Sequence, residues 1–218
     1  MSTDTLPLAP NAVFWTIQGE GVLMGEPMIF VRLAGCSVGC DFCDTDYSVA
    51  ERGTVDEIAR RVVACDPGKT KWIWVTGGEP TIHNLTPLVA RLRKLGYRLA
   101  LATAGVNAVK MGGGLQMEDG GESRPLDGFD FVSVSPHRID ETWVQRRGDQ
   151  LNVVPGLNAL RLEQLEGVDV SGFSYRYVTP MWYTPADRME KVQECVEWVK
   201  AHPGWRIGNQ SHKQWGVA

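Results

Sequence analysis

Cys36-Ser37-Val38-Gly39-Cys40-Asp41-Phe42-Cys43 sets three thiols at the spacing C-x3-C-x2-C, directly after the apolar run Met28-Ile29-Phe30-Val31-Arg32-Leu33-Ala34. A run so continuously apolar reads as a strand buried on both faces, which belongs in a parallel sheet. Three thiolates are one short of the four that close a structural zinc site or a simple iron–sulfur site. A cubane cluster held by three cysteines leaves one iron open to a ligand. The blander alternatives are a zinc ion completed by His83, His137, His202 or His212, and a disulfide pair. None of those histidines stands at ligand spacing from the cysteines. Nothing marks the chain as secreted, which argues against the disulfide.

The neighbouring stretches extend the pattern. Trp72-Ile73-Trp74-Val75-Thr76 reads as a second buried strand and ends in Gly77-Gly78-Glu79-Pro80. Two glycines let backbone approach a ligand closely, Glu79 brings a negative charge, and Pro80 fixes the turn that follows. Between the two strands, Thr54-Val55-Asp56-Glu57 is a capping box that opens a helix to about residue 65, with Val55, Ile58, Val62 and Val63 on one face. The periodicity predicts a helix over 84–95, stopped by Gly96, and another over 184–201. Short helices are expected at 138–147 and 159–165. Strands are expected at 97–102, 129–134, 151–154, 173–178 and 205–208. Residues 1–12 read as a loose, proline-containing start, and 13–21 as a short extended segment ending in a turn at Gln18-Gly19-Glu20-Gly21. A glycine-rich insertion occupies about 110–124.

Strand and helix alternate along most of the chain, which implies a mainly parallel sheet with helices outside. Thiol loop, Gly-Gly-Glu-Pro turn, Thr103-Ala104-Gly105, Ser135-Pro136-His137 and Thr179-Pro180-Met181-Trp182 each follow the C-terminal end of a strand, the edge where ligands gather in such folds. An eight-stranded barrel takes about 250 residues. The 218 residues here predict an incomplete parallel β/α barrel of about six strands, in one domain spanning 1–218. Arg32 is a charge inside a buried strand and needs a partner. Glu20 or Asp46 would serve structurally; a substrate carboxylate would serve functionally.

Composition excludes several classes. The net charge of −4 gives no basic field for nucleic acid. No apolar run reaches membrane-spanning length. Residues 1–10 lack the charged and apolar regions of a secretory signal. Five cysteines, three of them clustered, suit a reducing cytoplasm; Cys65 and Cys195 read as core or spectator residues.

The thiol triplet with the Gly-Gly-Glu-Pro turn resembles the radical S-adenosylmethionine (SAM) superfamily. Ile17-Gln18-Gly19-Glu20-Gly21, Arg32, Cys43-Asp44-Thr45 and the tail Gln210-Ser211-His212-Lys213 together resemble the 7-carboxy-7-deazaguanine synthase family within it. The resemblance implies a [4Fe–4S] cluster on Cys36, Cys40 and Cys43, with SAM on the open iron. It also implies conversion of 6-carboxy-5,6,7,8-tetrahydropterin to 7-carboxy-7-deazaguanine with loss of ammonia, assisted by Mg2+ at Thr45. By that resemblance SAM meets Phe42, Cys43, Asp44, Gly77, Gly78, Glu79, Pro80, Gly105, Ser135, Pro136, His137, Thr179, Pro180, Met181 and Trp182. The pterin meets Ile17, Gln18, Gly19, Arg32, Thr103 and Ala218, with Glu20 and Arg32 as catalytic candidates. An external electron donor of flavodoxin or ferredoxin type and a homodimer are further implications. The family pattern has Ser-Pro-Lys where this chain has Ser135-Pro136-His137, and Gln-Pro at Thr179-Pro180. Two rivals share the triplet: an activase that installs a glycyl radical on a partner enzyme, and a structural metal module that binds zinc and no SAM.

Overall fold

The computed structural model describes residues 5–41, 43–68, 70–109, 128–182 and 185–217, with the side chains of 185–188 left aside. Nine strands form one open sheet in the order β3-β1-β2-β4-β5-β6-β7-β8-β9. The strands are β1 (Thr5–Ile17), β2 (Pro27–Leu33), β3 (Glu51–Thr54), β4 (Trp72–Gly77), β5 (Arg98–Thr103), β6 (Phe131–Val134), β7 (Gly148–Val153), β8 (Phe173–Val178) and β9 (Trp205–Ile207). From β2 to β9 every pairing is parallel, seven strands in all, while β1 and β3 add antiparallel at one edge. The helices are α1 (Val55–Cys65), α2 (Thr86–Lys94), α3 (Pro185–Ala201) and α4 (Ser211–Trp215). Among the described residues, no helix is long and apolar enough to cross a membrane.

The period of two along the strands separates the two faces of the sheet. Ile29, Val31, Leu33, Ile73, Val75, Leu99, Leu101, Val132 and Leu151 point to one side and pack with Ile58 and Val62 of α1 and Leu88 and Leu92 of α2. Each of these is almost fully buried, and each contributes about 1.5–3 kcal/mol by leaving water. The alternate residues Met28, Trp72, Trp74, Ala100 and Phe131, with Phe30, fill the other side near the strand starts. Phe30, Trp74 and Phe131 stand ring by ring across three strands, with 6.2 Å between successive centroids. Further along the same face the residues turn polar: Arg32, Thr76, Ser133, Gln150 and Asn152. The inner face is thus an aromatic floor below a polar wall.

The sheet curves around that inner face. Val22, in the connection between β1 and β2, donates its N–H to Gln150 Oε1 at 2.8 Å. Gln150 lies on β7, four places from β2 in the strand order, and a flat sheet would keep the two apart. This is the incomplete barrel expected from the sequence, with one more parallel strand than expected.

Several local expectations are corrected. Residues 5–12 are not loose; they continue β1, which shifts register between Leu8 and Val13, at Asn11 (φ 51°), and then pairs with β3. Alternating small and proline residues hid a strand whose pairing is tertiary. Residues 138–147 form no helix: Val144 and Gln145 donate their N–H groups to the Gly105 carbonyl instead. The helix expected at 159–165 is two 3-10 turns, Leu157–Ala159 and Leu162–Leu165. The tail carries a helix, α4, that was not anticipated. In α1 the capping box at Thr54 and Glu57 forms as read, but the buried face is Val55, Ile58, Ala59 and Val62, and Val63 is half exposed. The glycine-rich insertion lies outside the described residues.

Candidate active site

The thiol loop leaves β2 at Leu33 and is held to the turn after β4 by backbone. Gly78 donates to the Leu33 carbonyl at 3.0 Å and Glu79 to the Gly35 carbonyl at 2.9 Å. A Cβ on Gly78 would lie 2.0 Å from the Gly35 oxygen and 3.0 Å from Cys36 Cβ. One on Gly77 (φ 129°) would meet the Leu33 oxygen at 1.9 Å. The two glycines therefore let two strand ends touch. His83 Nε2 lies 2.8 Å from the Ala34 carbonyl and braces the same corner.

Glu79 is almost fully buried, and its carboxylate only accepts. Oε1 takes Thr81 N–H at 3.0 Å, Thr81 Oγ1 at 2.7 Å and Thr103 Oγ1 at 2.8 Å, and Oε2 takes the Ala104 N–H at 2.7 Å. Its charge is spent on the protein, joining the ends of β4 and β5. The Thr103 hydroxyl is likewise committed, since it also accepts from Gly105 N–H at 2.9 Å. A Cβ on Gly105 (φ 76°) would meet Val134 and Trp143.

Two adjoining cavities open at the C-terminal ends of the strands. The larger, about 380 Å³, is lined by Ile17, Gln18 and Gly19, by Arg32, by Phe30 and Trp74, and by Thr45 and the polar wall. The smaller, about 170 Å³, is lined by Cys40, Cys43, Ser135, His137, Leu157 and Met181. Glu20, Asp44, Ser135, Asn152, Gln210 and Lys213 line both. A third hollow, of about 90 Å³, is lined by Ser37, Val38, Ala104, His137 and Trp143.

Charge is graded across this space. Burial raises the Glu20 carboxyl above its ordinary value, and nearby Asp44 adds to that, although Gln210 Nε2 (3.0 Å), Asn152 Nδ2 (3.2 Å) and the Lys213 charge oppose it. Asn152 in turn accepts from Thr179 Oγ1 at 2.6 Å, so Thr179 faces Asn152 and not the cavity. Arg32 is paired with neither Glu20 nor Asp46. Its guanidinium lies 4.6 Å over the Phe14 ring, and burial pushes its pKa down against the pull of Asp44. Burial tends to raise Asp44, but the Lys213 ammonium at 2.7 Å, with His212 and Thr45, brings it below the usual carboxylate range. Thr45 Oγ1 is 3.4 Å from Asp44 Oδ1.

The three thiols sit on one loop and feel one another's charge. Cys40 is pushed up to about 11, by burial first and then by Cys43, Cys36 and Asp41 against an Asn158 hydrogen bond. Cys43 is raised by burial, with Asp44 and Cys36 adding. All five cysteines are free. Among the described residues, no three cysteine, histidine or acidic side chains converge on a single point. The donor set fits a [4Fe–4S] cluster with one iron open.

The structure thus gathers most of the residues singled out from the sequence. Ile17, Gln18, Gly19, Glu20, Arg32, Thr45, Asp44 and Ser135 line the larger cavity; Cys43, His137 and Met181 line the smaller one. Glu79, Thr103 and Thr179 are buried behind it and hydrogen-bonded to protein; Pro80, Pro136 and Pro180 are buried too. Trp182 is partly exposed. Phe42 and Ala218 lie outside the described residues. Missed by sequence reasoning were Gln150 and Asn152; Gln210 and Lys213 were singled out in the tail signature, but without a role. A signal existed for the first two: polar residues alternating with buried Leu151 and Val153.

Comparison with known proteins adds four findings. The Radical SAM superfamily model matches residues 30–117. A 7-carboxy-7-deazaguanine synthase from Burkholderia multivorans is 31% identical, over 94% of this chain and 96% of its own. One of the same name from Synechocystis is 29% identical over 99% and 95%. The crystal structure of QueE from Escherichia coli shares the fold, with a TM-score of 0.67 at 23% identity and 94% of each chain covered.

Proposed function

This chain belongs to the 7-carboxy-7-deazaguanine synthase family of radical SAM enzymes, and on that premise we propose how its residues divide the work. The enzyme is a lyase. It converts 6-carboxy-5,6,7,8-tetrahydropterin to 7-carboxy-7-deazaguanine with loss of ammonia, in queuosine biosynthesis, with a [4Fe–4S] cluster and SAM. When bound, the cluster and SAM supply a 5′-deoxyadenosyl radical, which takes a hydrogen from C6 of the pterin and later returns it.

The observation that carries the division of roles is the wall common to the two cavities, with cysteines at one end and Arg32 at the other. The smaller cavity seats SAM beside Cys40 and Cys43, against Ser135, His137 and Met181. The larger one seats the pterin. Its planar ring lies on the Phe30 and Trp74 floor, and its edge meets Ile17, Gln18 and Gly19. Arg32, half-buried and without a carboxylate partner among the described residues, offers its fork of N–H groups to the substrate carboxylate. Glu20 stands between the two seats, and burial suits its carboxyl to hold a proton there. Mg2+ is a hard ion that keeps several waters, and Thr45 Oγ1 with Asp44 Oδ1 offers it oxygen at the same wall. Glu79 and Thr103 act behind the site, as braces. The whole chain acts as one radical SAM domain, as a homodimer in the cytoplasm, and takes its electron from an external flavodoxin- or ferredoxin-type donor. Free thiols throughout support the reducing compartment.

The test is anaerobic. The protein is reconstituted with iron and sulfide, then given SAM, dithionite, Mg2+ and 6-carboxytetrahydropterin, and products are followed by mass spectrometry. Formation of 7-carboxy-7-deazaguanine with little net loss of SAM is expected. Abortive 5′-deoxyadenosine without that product would move the assignment to another substrate.

A further inference from the structure

His137 does more than line a cavity. Its ring nitrogen Nδ1 lies 2.7 Å from Cys40 Sγ. Pro136, just before it, is buried and fixes the backbone from which the ring projects. His137 also lines both the hollow beside Ser37 and Val38 and the cavity beside Cys40 and Cys43.

A second residue grips the same loop. Asn158 Oδ1 accepts from Asp41 N–H at 2.9 Å, and Asn158 N–H donates to Asp41 Oδ1 at 3.0 Å. The Asn158 Nδ2 also reaches the His137 carbonyl at 3.4 Å. Asn158 (φ 48°) and Ala159 (φ 57°) are both left-handed, a conformation that non-glycine residues hold only where their surroundings force it. Two consecutive left-handed residues thus fall in the turn that meets the thiol loop.

We propose that His137 is a positioning residue for the cluster: its Nδ1–H donates to the Cys40 thiolate and raises the cluster's reduction potential, while Asn158 holds the loop at Asp41 so that the thiolate stays within reach of the ring. The inference rests on the radical SAM reading given above. Reduction adds one electron to the cluster, and part of that charge falls on the cysteine sulfurs. A donor aimed at a sulfur therefore stabilises the reduced form more than the oxidised one. In a poorly solvated pocket the effect is larger than in water. The protons stay where they are, and the electron comes from the chemical reductant used in the titration.

The experiment is an EPR-monitored redox titration with dithionite on the reconstituted holoenzyme, without SAM, for wild type, His137→Phe and His137→Gln. Phenylalanine keeps the ring and removes the donor; glutamine restores a donor. His137→Phe is expected to lower the reduced-to-oxidised ratio at a fixed potential about tenfold, the scale of one hydrogen bond to a charged group, or about 59 mV for a one-electron couple. His137→Gln should recover most of it. An unchanged midpoint in His137→Phe overturns the proposal, as does an unchanged midpoint with weakened SAM binding, which would assign the ring to SAM. Should His137→Phe fail to hold iron, the wild type decides. Labelled with 15N-histidine, its reduced cluster should show a 15N coupling by pulsed EPR, and absence of that coupling overturns the proposal. A wild type that forms no cluster at all sinks the family chemistry instead, so the two failures are distinct.

Discussion

Glu79→Gln is the substitution whose outcome the structure fixes most tightly. The glutamine amide is the same size as the carboxylate but accepts at one end only. With its oxygen at the Oε1 position, it keeps Thr81 N–H and both hydroxyls, and its NH2 faces the Ala104 N–H at a site now 2.7 Å donor to donor. Flipped, it faces three donors. The better orientation orphans one buried N–H, at about 1–3 kcal/mol, and turns three hydrogen bonds to a charged group into neutral ones, each weaker by about 1 kcal/mol. Relief of burying a charge offsets part of this. The net expected loss is about 2–4 kcal/mol, a large share of a typical total of about 5–15 kcal/mol. At about 2–4 °C per kcal/mol for a chain of this size, that is a fall in Tm of roughly 4–16 °C. The assay is anaerobic thermal unfolding of the cluster-free protein, followed by circular dichroism. A Tm within 1 °C of wild type, with SAM binding lost after reconstitution, would refute the reasoning. The carboxylate would then be a ligand for SAM and not a brace.

Other substitutions probe separate parts of the site. Arg32→Lys keeps the charge but loses the paired N–H geometry, so the apparent KM for the pterin should rise about tenfold or more; steady-state kinetics showing no change would take Arg32 out of the site. Thr45→Ala should lower Mg2+-dependent turnover severalfold and leave SAM cleavage intact, checked by product analysis across a Mg2+ series. Gly78→Ala drives a methyl into the Gly35 carbonyl, so the iron content after reconstitution should fall to a small fraction of wild type; a full complement of iron would show that the two strand ends can part. Glu20 has its pKa raised by burial, so its stabilising contribution is complete below about 4.5 and is lost as pH rises through the folded-state value. The Tm advantage of wild type over Glu20→Gln should therefore shrink between pH 4 and pH 8, and a constant difference would contradict the burial argument.

How much of this was legible beforehand depends on the range of the interactions. β2 and β4 were visible because buried parallel strands are largely apolar, and α1 because Thr54 and Glu57 are three residues apart and cap locally. The thiol triplet and the turn at Gly77-Gly78 were visible as chemistry. β1 was not, because Pro7 and Pro10 mask a strand whose pairing partners lie at 27–33 and 51–54. Glu79 stood out as a charge at a turn, but its four protein donors did not: they come from Thr81, Thr103 and Ala104, and two of those residues are a full βα unit away. The tail signature Gln210-Ser211-His212-Lys213 was noticed, but its work was hidden. Only the fold puts Gln210 on Glu20, Lys213 on Asp44 and the His212 ring beneath Gly19.

That tail has a consequence for the order in which the molecule is made. Among the described residues every strand precedes Gln210 in the chain, the last ending at Ile207. The hydrogen bond from Gln210 to Glu20 then spans 190 residues, where that from Thr103 to Glu79 spans 24. Closing the longer loop from an unfolded chain would cost about 2 kcal/mol more in entropy; on a sheet already formed, most of that is met before the tail arrives. The brace joins near neighbours in the chain, whereas the cavity wall joins distant segments, and the pterin seat is complete only once α4 docks against Gly19.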